Sequence, residues 1–161
     1  PLGTGVALAC DSDRAKADAI AGMRTLNRRA SEILRAASGV HAVTDVTGFG
    51  LAGHGWEMAE RAGATFVVET HSLPLYVDTL DAARRGVKTG GDARNRQAVE
   101  RHVEREKSVD VAFETMVFDP QTSGGLLAAV DPSSIDDVVT RDGPFVVIGR
   151  VESGDAGIRL V

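Results

Sequence analysis

The first long periodic segment runs from Asp11 to Gly39, DSDRAKADAIAGMRTLNRRASEILRAASG. Its apolar side chains fall at Ile20, Met23, Leu26, Ala30, Ile33, Leu34 and Ala37, in steps of three and four that line one stripe of a single long helix. Asp11, Ser12 or Asp13 can cap its start, and Gly39 can close it in a left-handed conformation. Ahead of it, PLGTGVALA (residues 1–9) opens with Pro and Gly and runs into an apolar, strand-like stretch. It reads as an interdomain linker leading into a first strand, with residues 10–161 forming the domain proper. VHAVTDV, from Val40, has the β-branched content of a short strand. Phe49–Ala62, FGLAGHGWEMAERA, reads as a helix closed by Gly63. Gly53 and Gly55 within it cost roughly 1 kcal/mol each relative to Ala, which points to a close backbone approach there.

The later pattern alternates less regularly. ATFVVET, from Ala64, reads as a strand, Pro74 opens a helix that runs through Ala83, and RRGVKTGGDARNRQ, from Arg84, reads as the longest loop. Val109, Ala112, Phe113, Met116 and Val117 make a helical stripe that stops at Asp119–Pro120, because the residue before a proline avoids the α region. GGLLAAV, from Gly124, is a candidate buried strand, and SSIDDVVTR, from Ser133, a short helix. PFVVIGRV and GIRLV look like a hairpin across ESGDAG. Strands and helices mix without strict alternation, so the expected class is α+β rather than a doubly wound parallel sheet.

Composition narrows the function classes. The 161 residues are 43% hydrophobic and 25% charged, as in a single globular domain. A net charge of −5 supplies no basic field for nucleic acid or an anionic membrane, and no apolar run reaches membrane-spanning length. The single cysteine, Cys10, forms no internal disulfide and fits a reducing, cytoplasmic setting as an ordinary buried thiol.

Candidate chemistry centres on VTDVTGFGLAGH. Gly48, Gly50 and Gly53 spell G-x-G-x-x-G, and Glu69 stands where a ribose-binding carboxylate would follow in a dinucleotide fold. That fold needs a continuous apolar strand feeding the first glycine. Here Asp45 interrupts it, flanked by Thr44 and Thr47, so the glycine spacing reads as a chance match. Asp45 offers a hard oxygen ligand for Mg2+ just ahead of a glycine-rich helix start, a pairing suited to a metal-bound polyphosphate. DPQTSGG, from Asp119, has similar ingredients: an acid, two hydroxyls and paired glycines before a strand. Capping or turn formation is the alternative role for both Asp45 and Asp119.

TDVTGFGLAGHGWEM, then DPQTSGGLL, with PLGTG at the start and GGDARN between, resembles the selenophosphate synthetase (selenide, water dikinase) family. More broadly, the chain is similar to the C-terminal domain of the aminoimidazole ribonucleotide synthetase-related superfamily. The resemblance runs from end to end and implies a three-layer α/β/α domain with a mixed, largely antiparallel sheet. It implies that the parent enzyme makes selenophosphate from selenide, ATP and water, releasing AMP and phosphate. An N-terminal ATP-binding domain would be the partner and would carry the catalytic Cys or selenocysteine and Lys. The resemblance also implies a homodimer for the full-length protein and no catalysis by these residues alone. Asp45 matches the family's metal ligand; Thr47, Gly48, Gly50, His54, Asn95, Thr122, Ser123 and Gly124 are expected to line the phosphate cleft. For His54, stabilising its own helix is the competing expectation. Other ATP-using synthetases or kinases of the superfamily, and a non-catalytic nucleotide-binding module, are the alternative functions.

Overall fold

A computed structural model describes residues 1–161 in full. The chain contains eight α-helices and six strands. In order they are α1 (Thr4–Ala9), α2 (Asp13–Arg24), α3 (Arg28–Ala36), β1 (Val40–Asp45), α4 (Gly50–Ala62), β2 (Ala64–Val68), α5 (Thr79–Arg84), α6 (Gly90–Val99), β3 (Val103–Arg105), α7 (Ala112–Phe118), β4 (Leu126–Val130), α8 (Ile135–Val138), β5 (Gly149–Ser153) and β6 (Gly157–Leu160). Short 3-10 turns at Thr70–Ser72, Glu100–His102 and Pro132–Ser134 link them.

The α+β class and the mixed sheet are as expected, but the strands divide into two sheets. β1 pairs antiparallel with β4, and a four-stranded sheet has the order β3-β6-β2-β5. In the larger sheet β2 is antiparallel to β5 and parallel to β6, and β6 is parallel to β3, so antiparallel pairs do not dominate it. The hairpin read from PFVVIGRV and GIRLV does not form. β5 and β6 flank β2 on opposite sides, because Phe66–Val68 is the apolar strand that can be covered on both edges. Pro144–Ile148 has no regular structure.

Other departures have local causes. Thr4–Ala9 is a helix rather than a strand. Asp119 Oδ2 accepts from the backbone N–H of Gly5 at 2.7 Å and of Val6 at 3.3 Å, and Gln121 Oε1 accepts from that of Thr4 at 3.1 Å. Those bonds satisfy the free N–H groups at the start of a helix, and they come from residues more than a hundred positions away. The single helix read over Asp11–Gly39 breaks at Thr25–Asn27. Asn27 Nδ2 donates to Gly124 O at 2.8 Å, and Leu26 on the expected apolar stripe is exposed. Ser12 caps α2, its Oγ accepting from Ala15 N at 3.1 Å. Residues 90–99, read as loop, form α6, which Thr89 caps by accepting from Asp92 N at 3.3 Å. The helix near Pro74 starts only at Thr79.

Two apolar clusters hold the elements together. One joins Leu51 and Ala52 of α4, Phe113, Val117 and Phe118 of α7, and Val68, Ile158 and Leu160 of the larger sheet. The other is rich in alanine and lies where α1, α2, α5 and α7 meet, with Cys10 and Tyr76 inside it. Small side chains let these short helices pack closely without leaving voids. The close approach at Gly53 and Gly55 of α4 is made by side chains, not by a neighbouring backbone. A Cβ at Gly55 would lie 3.3 Å from Ile158 Cδ1, and one at Gly53 only 2.5 Å from Phe49 Cβ. Gly63, at φ 61°, ends α4 in the left-handed conformation expected of it.

Candidate functional site

β1 alternates half-buried and exposed positions, and Asp45 stands last on the exposed side. Its carboxylate makes no hydrogen bond and no ion pair. The chain then turns through Val46–Phe49 into α4, with Gly50 N donating to Thr47 O at 2.9 Å. Phe49 stands outward at 58% exposure beside this turn.

The two glycine-bearing segments read separately in the sequence are one structural unit. Gln121 N donates to Thr47 O at 3.0 Å, and Val46 N donates to Gly125 O at 2.9 Å. A Cβ at Gly124 would fall 2.0 Å from Val46 O, so only glycine lets the two backbones touch there. Asp45 is itself in register with Leu126. The sites around Asp45 and Thr122–Gly124 therefore form a single rim. Thr122 and Ser123 are exposed on it, with Ser123 at φ 50°.

Three candidate residues have inward roles instead. Asn95 is buried, and its Nδ2 donates to Gly48 O at 2.9 Å and to Phe118 O at 2.8 Å, so it braces the turn rather than reaching into a cleft. His54 is 8% exposed and its Nε2 lies 3.0 Å from Thr47 Oγ1, which turns the ring towards the base of its own helix. Gly50 has φ 69° and packs against the carbonyls of Val117 and Asp119. These three shape the rim from below.

Asp119, grouped with Asp45 by its motif, is no candidate ligand. Its side chain is fully buried beneath the turn, capping α1 as described and accepting from Gln121 Nε2 at 3.3 Å. Gln121 is a functional-looking residue of structural importance that the motif reading passed over. Its side-chain amide connects Thr4 and Asp119, and its backbone N–H donates to Thr47 O. The polar residue between Pro120 and Thr122 was the only signal for it.

Burial raises the Asp119 carboxyl to about 6. The N–H donors of Val6 and Gly5 and the Gln121 amide oppose that rise, and the Asp92 charge adds to it. The ordinary value is 3.8, so between there and about 6 the folded chain keeps a proton that the unfolded chain has lost. This contribution is complete below the ordinary value and disappears as pH rises through about 6. A displacement of that size is worth about 3 kcal/mol. Urea midpoints measured from pH 4 to 7 are therefore expected to fall more steeply for the native sequence than for Asp119→Asn, a neutral near-isostere. Equal slopes would overturn the assignment.

No group of three or more His, Cys, Asp or Glu converges anywhere in the chain. A divalent cation would find one exposed, unpaired carboxylate at Asp45 and would need its remaining ligands from elsewhere, so the residues fit a contributing ligand and not a complete site. The dinucleotide reading has no support in the geometry. β1 lies in an antiparallel two-stranded sheet, and Glu69 faces Arg150 at 3.5 Å. An apolar cavity of about 590 Å³ lies behind this rim, between β4, α3 and the larger sheet; Ser123, Gly124 and Gly125 border it along with Phe66, Leu127 and Val138.

Residues 5–161 match the family described as AIR synthase related protein, C-terminal domain. The chain belongs to that family. Selenide, water dikinase of Paraburkholderia xenovorans is 37% identical over 171 residues, an alignment covering 100% of this chain and 48% of that protein. Selenide, water dikinase of Burkholderia pseudomallei is 40% identical over 167 residues, covering 98% of this chain and 47% of that protein. The chain thus spans about half the length of the curated relatives it matches. In structure, it is similar to thiamine monophosphate kinase of Aquifex aeolicus, with a TM-score of 0.55 at 16% identity over 99% of this chain and 47% of that one. At that identity the likeness concerns the fold. No helix is long and apolar enough to cross a membrane.

Proposed function

We propose that this chain is the half of a selenide, water dikinase that closes over ATP bound mainly by an N-terminal partner domain. The observation that carries the reading is Asp45: an exposed, unpaired carboxylate at a strand end, held on a turn that Gln121 and Asn95 brace from beneath. The similarity over the whole chain to two proteins named selenide, water dikinase supplies the substrate class. Asp45 would be one ligand to Mg2+ on the ATP phosphates, and Thr47, Thr122 and Ser123 would stand on the same rim. A cation held there would supply positive charge to offset that of the phosphates. The intact protein would be a cytoplasmic homodimer that turns selenide, ATP and water into selenophosphate, AMP and phosphate.

Phosphorus NMR of the intact protein with ATP, Mg2+ and selenide tests this. Selenophosphate, AMP and phosphate are expected in equal amounts, with AMP formation dependent on selenide. Release of ADP instead, or phosphoryl transfer to another acceptor without selenide, would favour a related kinase of the superfamily. The 161 residues alone are expected to be inactive and to bind Mg-ATP weakly, because they provide one carboxylate to the metal. Tight calorimetric binding by these residues would overturn that division of labour.

A further inference from the structure

The geometry points to His54 as a positioning residue whose tautomer makes the Thr47 hydroxyl present lone pairs, not a proton, to the rim that carries Asp45. This rests on the proposed function for its catalytic consequence, though not for the tautomer. His54 Nε2 lies 3.0 Å from Thr47 Oγ1, and the side chain is buried beneath the turn with the Phe49 ring 5.8 Å away. The other ring nitrogen, Nδ1, has no hydrogen-bond partner and lies 3.5 Å from the carboxylate Oε2 of Glu57, one turn further along α4.

No hydrogen bond joins Nδ1 to Glu57, but the negative charge of a carboxylate 3.5 Å away attracts a proton on that nitrogen and repels a bare lone pair, which favours the Nδ1-protonated ring. In a neutral ring the other nitrogen is then an acceptor, and Thr47 Oγ1–H donates to it. The hydroxyl proton is thereby committed inward. The two lone pairs left on Oγ1 suit a cation or a water molecule bound to one, and they repel a phosphate oxygen. With the opposite tautomer, Nε2–H would donate to Oγ1 and release the hydroxyl proton towards phosphate. His54 thus decides which of the two chemistries Thr47 offers, two residues from Asp45. The same contact locks the Thr47 rotamer on the turn whose carbonyl accepts from Gly50 and Gln121.

Nitrogen-15 histidine spectra of the intact protein, with His54 assigned by its loss in His54→Gln, read the tautomer directly. A protonated Nδ1 and an unprotonated Nε2 are expected, and Glu57→Leu is expected to mix the two forms. A protonated Nε2 in the native protein would overturn the proposal. In steady-state kinetics Thr47→Val and His54→Leu should each lower kcat about tenfold, with less change in KM for ATP. The double variant should fall no further than either single one. His54→Gln, whose amide oxygen can accept from Thr47, should recover kcat to within about threefold. Multiplicative losses in the double variant, or no rescue by Gln, would show independent structural roles and overturn the positioning role. A native protein without selenide-dependent activity but with the stated tautomer would count against the proposed function alone.

Discussion

Replacing Asp45 by Ala in the intact protein is expected to lower turnover by on the order of a hundredfold or more, with the fold unchanged. The two halves of that expectation come from different observations. The carboxylate has no partner within the chain, so its removal breaks no native hydrogen bond or ion pair. An exposed substitution of this kind changes stability by about 0.5 kcal/mol or less. The loss of turnover follows from the proposed metal contact, which is a direct charge interaction with the reacting phosphates. Raising Mg2+ should recover part of the activity, since a weakened site fills at higher cation concentration. Wild-type turnover at limiting Mg2+, with an unaltered thermal midpoint, would remove Asp45 from the mechanism.

Gly50→Ala is expected to behave in the opposite way, damaging the fold first. Gly50 adopts φ 69°, where an L side chain costs about 1–2 kcal/mol. Its added Cβ would also stand 2.8 Å from Val117 O and 3.0 Å from Asp119 O. Those are backbone atoms at the end of α7, which cannot rotate away as a side chain would. Together the strain and overpacking should destabilise the domain by about 4 kcal/mol. The readout is the urea or thermal midpoint, followed by activity under conditions where the variant remains folded. A loss below about 1 kcal/mol would mean that the start of α4 shifts freely on α7, against the packing described.

The pair shows which parts of the site could be read from the sequence. The exposed placement of Asp45 was legible because a carboxylate closing a strand next to glycines is a local pattern. The elements with local signals were equally visible: α4 with its closing Gly63, β1, β2, and the stop of α7 at Asp119–Pro120. What stayed hidden depends on distant partners. The helix at Thr4–Ala9 needs Asp119 and Gln121 to satisfy its first N–H groups, so its apolar residues alone resemble a strand. Asn95 sits in a stretch rich in glycine and charge that reads as loop. Only the carbonyls of Gly48 and Phe118, which it bridges, reveal it as a brace. The expected hairpin failed for the same reason, since nothing between β5 and β6 signals that β2 will come between them. The break after Arg24 is likewise marked by a contact, Asn27 with Gly124, that spans most of the chain.

The arrangement of the larger sheet also sets the order in which the domain can assemble as it is synthesised. β2 emerges well before its neighbours β5 and β6, which are contributed by residues 149–160. The first turn of α1 likewise waits for residues 119 and 121. Until residues 149–160 leave the ribosome, Phe66–Val68 has both edges open, whereas α1 gains its cap earlier, once residues 119 and 121 are out. Non-local closure of this kind slows folding and leaves apolar strand edges exposed in the meantime. A nascent chain stopped short of Gly149 should therefore be held by chaperones or cleaved by proteases, while release of β6 should complete the cluster that contains Ile158 and Leu160.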